Sequence, residues 1–159
     1  MSTSQAECSI IIPVFNKWEL TRACLASIQE HSAGHDLEII VVNNGSDDAT
    51  GTDLAAYGAG LFGSRFSSLT FAENRNYGPA NNAGAKAATA PILFFLNNDT
   101  VLTPGCLAPL FAALRADDAP SALGPLLLYP DDSVQHLGVA YGTNNPEHCI
   151  SIFRLITGL

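Results

Sequence analysis

At 159 residues the chain is long enough for one domain and short for two. With 47% hydrophobic and 14% charged residues it can bury a sizeable core, and it lacks the composition of a disordered chain. Its seven Lys and Arg against fifteen Asp and Glu leave a net charge of −8, which argues against a basic surface for nucleic acid or an anionic membrane.

The opening Met1-Ser2-Thr3-Ser4-Gln5-Ala6-Glu7 has neither the basic start nor the apolar stretch of a secretory signal, and residues 1–7 are expected to be flexible. The longest apolar runs, 91–96 and 107–114, fall far short of the roughly 18 residues of a membrane span. The expected location is the cytoplasm. Cys8, Cys24, Cys106 and Cys149 are scattered singly with no CxxC pair, so they read as buried free thiols and not as a zinc site or a disulfide framework.

Short β-branched runs alternate with amphipathic stretches, the pattern of parallel strands joined by crossover helices, so the fold class is α/β. Residues 8–14 predict a first strand, and 18–30 a helix with Leu20, Cys24, Leu25 and Ile28 on one face. Residues 37–42 are apolar at nearly every position, as a central strand covered on both faces should be. That strand breaks at Asn43-Asn44-Gly45-Ser46, a turn whose residues accept unusual backbone angles. A short helix over 47–57, capped by Ser46 or Asp47, leads into a loop over 58–68 and a short strand over 68–71. The loop 73–79 runs into an alanine-rich helix over 80–88. A fourth strand, 91–96, stops at Asn97-Asn98-Asp99-Thr100, and Pro104 is expected to open a helix to Arg115. Residues 123–129 and 134–140, separated by Pro130-Asp131-Asp132-Ser133, predict a hairpin.

Three of these strands end in polar turns: Phe15-Asn16, Asn43-Asn44-Gly45-Ser46 and Asn97-Asn98-Asp99. In an open parallel sheet such turns share one edge, the usual ligand crevice. Of the eleven Asn residues, nine lie in these turns and in the segment 74–82, so uncharged donor and acceptor groups are expected to converge there.

Ser9-Ile10-Ile11-Ile12-Pro13-Val14-Phe15-Asn16, then Glu38-Ile39-Ile40-Val41-Val42-Asn43-Asn44-Gly45-Ser46-Asp47-Asp48-Ala49-Thr50, then Phe94-Phe95-Leu96-Asn97-Asn98-Asp99-Thr100 resemble the nucleotide-sugar-binding half of family 2 glycosyltransferases. The resemblance covers residues 8–148 and leaves 149–159 as an apolar tail without an assigned role. It implies a GT-A fold, a three-layer sandwich on a mostly parallel sheet. It also implies a nucleoside-diphosphate sugar donor, a divalent metal (Mg²⁺ or Mn²⁺), and inverting transfer to an acceptor hydroxyl on a glycan or glycolipid. Carried over position by position, Pro13, Val14, Phe15 and Asn16 border the nucleoside, with Phe where the family more often has Tyr. Asn44 matches the position that pairs with the base, and Asn43 replaces another frequent Asp, so UDP, dTDP and GDP all stay open. The loop 74–84 resembles the segment that closes over base and diphosphate, led by Asn74 or Asn76, with Asn82-Ala83-Gly84 matching well. Asn97-Asn98-Asp99 stands in place of the DxD-type motif, with Asp99 as metal ligand and Asn97 and Asn98 toward the donor sugar. A cap role for Asp99 ahead of Pro104 is the structural alternative.

Asp131-Asp132-Ser133-Val134-Gln135-His136-Leu137-Gly138 and Pro146-Glu147-His148 resemble a segment of a rhamnosyltransferase-like subset, in which His136 is a candidate for the diphosphate. Inverting transfer needs a general base, and after Glu147 the sequence has no Asp or Glu. The expectation is therefore a donor-binding part of a truncated enzyme, with the base absent. The alternative is a non-catalytic nucleotide-binding module that oligomerises through its cut edge and apolar tail. A nucleotidyltransferase or a Rossmann dehydrogenase is disfavoured because no glycine follows the first strand.

Overall fold

Strand β1 (Cys8–Val14) is buried at all seven positions, as its run of β-branched and small residues requires of a strand sandwiched between helices. It forms the middle of a four-stranded parallel sheet with β2 (Leu37–Asn43), β3 (Phe66–Thr70) and β4 (Ile92–Phe95), in the order β3-β2-β1-β4. The chain is described here as a computed structural model covering residues 5–117 and 119–136. These residues fall into two units divided between Leu102 and Thr103.

In the first unit, α1 (Trp18–His31) and α2 (Thr50–Phe62) carry the chain from β1 to β2 to β3 in one direction. The helix α3 (Tyr77–Ala87) then brings it back across to β4. Right-handed crossovers in opposite directions put these helices on opposite faces of the sheet, which makes three layers. Residues alternate accordingly: Ile11 and Val42 meet α3 at Gly84, whereas Val41 and Asn43 point to the other face. Trp18 and Tyr57 pack edge to face, their ring centroids 5.5 Å apart, where α1 meets α2.

A Cβ on Gly84 would overlap Ile11 Cγ2 and come within 3.3 Å of Val42 Cγ2. Both neighbours are fully buried and have nowhere to move. Gly84→Ala is therefore expected to destabilise by about 1–2 kcal/mol in urea unfolding, because overpacking outweighs the gain in helix propensity. Gly60→Ala, with open space around it, is the matched control and is expected to stabilise slightly.

At the amino edge of the sheet Glu38 ties three segments together. It accepts hydrogen bonds from Ser9 Oγ, from the Thr89 N–H at 2.9 Å and from Thr89 Oγ1 at 3.1 Å. Burial pushes the Glu38 carboxyl up, but these donors, together with the charge of Arg65, hold it below its ordinary value. Part of the 1–7 segment is likewise anchored: Ala6 is buried and the Glu7 N–H donates to Asp36 O at 2.8 Å.

Several elements differ from their sequence-based bounds. Helix α2 starts at Thr50, not at 47, and its first N–H is received by Asp48 at 2.9 Å, not by Ser46 or Asp47. It runs on through Gly58 to Phe62, because Gly58 is where the Phe66 ring packs against the helix. Residues 58–65 are consequently helical, and β3 begins two residues early, at Phe66. Helix α3 begins at Tyr77 instead of 80, since Gly78 and Pro79 fall in its first turn, where the N–H that proline lacks has no helical partner.

In the second unit, residues 104 and 105 form a turn, so α4 (Leu107–Leu114) opens three residues later than expected. The hairpin is present as β5 (Leu127–Leu128) and β6 (Val134–His136), antiparallel and shorter than its apolar runs. The apolar tail, Glu147, His148 and Cys149 lie outside the described residues. Among the described residues no helix is long and apolar enough to cross a membrane.

Candidate functional site

Parallel pairing brings the carboxyl ends of β1, β2 and β4 to one edge. Val14 pairs with Asn43, the Asn44 N–H donates to Val14 O at 2.7 Å, and the Leu96 N–H donates to Ile11 O at 3.0 Å. A cleft of about 530 Å³ opens there. Its walls are Pro13 and Val14 at the end of β1, Phe15 and Lys17 just after it, Asn44 after β2, Asn74 and Asn76 before α3 with Tyr77 at its first position, and Asn97, Asn98 and Asp99 after β4. It lies over the end of β1, beside the point between β1 and β4 where the strand order reverses, as expected for a ligand crevice in a sheet of this class.

Two amide clasps shape its rim. Asn44 is only 4% exposed. Its Nδ2 donates to Asn74 Oδ1 at 3.0 Å and to Asn76 O at 3.3 Å, while its Oδ1 accepts the Arg75 N–H at 2.8 Å. Asn74 Oδ1 also accepts the Asn76 N–H at 2.8 Å. The 74–76 loop is thereby pinned to the end of β2, with Asn76 held at φ 66°. On the other side Asn16 Oδ1 accepts the Asp47 N–H at 2.9 Å and Ser46 Oγ accepts the Asn16 N–H at 2.8 Å. Asp48 Oδ2 accepts the Trp18 N–H at 3.1 Å. These bonds hold Asn16 and Lys17, both left-handed at φ 57° and 60°, in a backbone region that non-glycine residues seldom enter. Burial pushes the Asp48 carboxyl up, yet the N–H and hydroxyl donors around it keep it below the ordinary carboxylate value.

At the β4 end, Asn98 Nδ2 donates to the buried Thr21 Oγ1 at 3.0 Å. Asn97 O accepts the Thr100 N–H at 3.2 Å and the Cys24 thiol at 3.7 Å. Lys17 and Asp99 are the two charged side chains among the described lining residues. No cluster of three or more His, Cys, Asp or Glu among the described residues could hold a metal unaided. Asp99 with the amide oxygens of Asn97 and Asn98 offers hard oxygen donors, a set that suits Mg²⁺ or Mn²⁺ when a ligand contributes further oxygens.

Burial, reinforced by the negative charge of Asp99, pushes the Cys24 thiol up to about 12. Cys8 is pushed up to about 12 as well, by burial and then by Glu7. At pH 8 the thiolate fraction of either is therefore on the order of 10⁻⁴. Iodoacetamide labelling of the native protein, read by peptide mapping, is expected to leave Cys8 and Cys24 unmodified, and both should label after denaturation.

Of the residues expected at the site from the sequence, Pro13, Val14, Phe15, Asn44, Asn76, Asn97, Asn98 and Asp99 line the cleft. Asn16, Asn43 and Asn82 do not. Asn16 is committed to the neighbouring loop. Asn43 points to the opposite sheet face, where its Oδ1 accepts the Ser46 N–H at 2.9 Å. Asn82 is exposed on α3 while its neighbour Asn81 is buried. His136 lies on β6, in the second unit. Lys17 and Tyr77 line the cleft unforeseen, and Asn74 joins Asn76 there. Lys17 was legible only as the residue after a strand-end Asn.

Comparison with known proteins bears on the family and the fold. Residues 9–137 match the sequence profile of glycosyl transferase family 2. The O-antigen biosynthesis protein RfbC of Myxococcus xanthus is 33% identical over 135 residues, which cover 84% of this chain and 10% of RfbC. Validoxylamine A glucosyltransferase of Streptomyces hygroscopicus subsp. limoneus is 31% identical over 116 residues, 71% of this chain and 24% of that protein. The chain thus spans about a quarter or less of the length of these relatives. Among solved structures, mannosyltransferase PcManGT from Pyrobaculum calidifontis, in complex with GDP-Man and Mn²⁺, superposes with a TM-score of 0.68 at 22% identity, over 82% of this chain and 38% of that one. S. aureus TarS 1–349 in complex with UDP-GlcNAc gives a TM-score of 0.60 at 21% identity, over 68% and 32%. At these identities the likeness is one of fold, the GT-A arrangement of an α/β unit on a parallel sheet.

Proposed function

The chain belongs to glycosyl transferase family 2, and from that premise we propose that its first unit binds a nucleoside-diphosphate sugar together with a divalent metal. The observation that carries the proposal is the cleft itself, which joins a wall of uncharged amides at the β2 end to a lone carboxylate, Asp99, at the β4 end. In this reading Pro13, Val14 and Phe15 border the nucleoside, and Asn74 and Asn76 lie along its edge. Lys17 adds positive charge for the diphosphate. Asn97 and Asn98 face the donor sugar, and Asp99 holds the metal. When bound, the metal supplies Lewis-acid neutralisation of charge on the departing diphosphate.

Transfer with inversion to a glycan or glycolipid hydroxyl is the reaction we assign to the full enzyme. It requires a general base. We propose that the first unit supplies the donor-binding half of that reaction. Buried free thiols at Cys8, Cys24 and Cys106 support a reducing compartment, the cytoplasm.

Calorimetric titration with UDP, dTDP and GDP, each with Mn²⁺ and with EDTA, tests the reading. The dTDP arm is included because residues 131–138 resemble a segment of rhamnosyltransferase-like members. Metal-dependent binding of one nucleotide is expected. Absence of binding by all three, from protein shown to be folded by circular dichroism, would overturn it.

A further inference from the structure

Helix α1 buries Thr21, Cys24, Leu25, Ser27 and Ile28. Three of these carry a hydroxyl or a thiol, whereas Leu20, which periodicity puts on the inner face, is 42% exposed. The helix is therefore rotated so that polar groups face inward. A buried polar group costs stability unless something pairs with it. What pairs with these is one stretch of chain, residues 97–102, which follows β4. Thr21 Oγ1 accepts from Asn98 Nδ2 at 3.0 Å, the Cys24 thiol donates to Asn97 O at 3.7 Å, and Ser27 Oγ accepts the Leu102 N–H at 3.0 Å. The Ser27 hydroxyl hydrogen is directed elsewhere, to Cys24 O at 2.7 Å. At positions i, i+3 and i+6, Thr21, Cys24 and Ser27 form a single ridge about 9 Å long on the helix.

The 97–102 segment needs such support. The hold of the sheet ends with the Leu96 N–H, bonded to Ile11 O, and within 97–102 the backbone closes on itself once, from the Thr100 N–H to Asn97 O at 3.2 Å. Asp99 is exposed, so its place depends on the backbone that carries it. Lys17, the other charged residue of the cleft, is the N-cap residue of α1. One helix thus carries Lys17 at its start and grips the turn of Asp99 along its side.

We propose that Thr21 and Ser27 are positioning residues for the metal site: they hold the 97–102 segment against α1, so that Asp99 stands at the cleft in a fixed relation to Lys17. The inference rests on the donor-site reading above, in which Asp99 holds the metal. Thr21 and Ser27 are buried and neither is among the lining residues of the cleft, so they act through Asp99 and not on the ligand.

The test is titration of the full chain with UDP, dTDP and GDP, each in Mn²⁺ and in EDTA. Thr21→Val keeps the shape of the side chain but removes the oxygen. Its affinity in Mn²⁺ is expected to fall about tenfold, the scale of one hydrogen bond, while affinity in EDTA stays within about twofold of the wild type. Ser27→Ala is expected to give the same split. Thr21→Ser, which retains the oxygen, is expected to restore the Mn²⁺ response. In an Asp99→Ala background Thr21→Val is expected to cost nothing further, because residues that act through one contact do not add. Hydrogen exchange in the ligand-free protein supplies a second readout. The Leu102 N–H, whose own acceptor is intact in Thr21→Val, is expected to exchange about tenfold faster there, with the amides of β1 and β2 unchanged. A wild-type Mn²⁺ response in Thr21→Val or Ser27→Ala, equal losses with and without metal, or losses that add to that of Asp99→Ala would overturn this inference alone. Absence of nucleotide binding by the wild type, or wild-type binding indifferent to Mn²⁺, would overturn the donor-site reading and this inference with it.

Discussion

Replacing Gly45 by alanine is expected to destabilise the protein by about 2–4 kcal/mol and to abolish measurable nucleotide binding. Two costs coincide at this position. Gly45 has φ +82°, a left-handed conformation that costs an L-residue with a Cβ roughly 1–2 kcal/mol. In addition, a Cβ there would lie 2.7 Å from Glu73 C, 2.8 Å from Glu73 Cα and 2.9 Å from Asn74 N, all backbone atoms. A backbone neighbour cannot rotate away as a side chain can, so the 73–74 segment must shift. That segment carries Asn74, whose bond to Asn44 spans 3.0 Å and does not survive a displacement of an ångström. Stability and binding should therefore fall together. Thermal unfolding is expected to show a loss of about 4–16 °C, and calorimetry the loss of the nucleotide isotherm. Full binding in a stably folded Gly45→Ala would show that the loop is not part of the site.

Much of the fold was legible because the central strands announce themselves. Ile10, Ile11, Ile12 and Ile39, Ile40, Val41, Val42 are apolar without alternation, and all are fully buried. That pattern leaves few structures other than the interior of a parallel sheet. The helix bounds were harder, because glycine and proline carry two meanings. Gly58 reads as a helix end but serves as a packing contact for Phe66, and Pro79 reads as a loop residue but sits harmlessly in a first turn. Nothing local distinguishes these uses, since the deciding partner is a neighbour in space.

The site divides along the same line. That polar turns after β1, β2 and β4 converge follows from the topology, and the structure brings eight of the eleven expected residues to one cleft. What each amide does there was not legible. Asn43 and Asn44 are adjacent and chemically identical, yet strand alternation sends one to each face of the sheet. Asn44 and Asn16 look like free recognition groups in sequence and are instead spent on loops about thirty positions away. Such bonds depend on which loops the fold brings together, and only the tertiary structure supplies that.

Asp99→Ala is the second change expected to have a large effect, and its sign should depend on the metal. Asp99 is exposed and lies eight residues before α4 begins at Leu107, too far to cap that helix. The substitution is therefore expected to leave the melting temperature unchanged. With Mn²⁺ present, the variant loses the one carboxylate among the described residues lining the cleft, and nucleotide affinity is expected to fall on the order of 100-fold, about 2.7 kcal/mol. In EDTA the expectation reverses. A carboxylate beside a diphosphate repels it when no cation stands between them, so the variant should bind as well as the wild type or somewhat more tightly. Asp99→Asn, which keeps an oxygen but not the charge, should fall between the two with Mn²⁺ and match alanine in EDTA. Parallel titrations with and without metal separate the possibilities. A wild-type-like response to Mn²⁺ in Asp99→Ala would remove Asp99 as the metal ligand. Equal losses in both arms would make it a direct contact to the nucleotide or sugar instead.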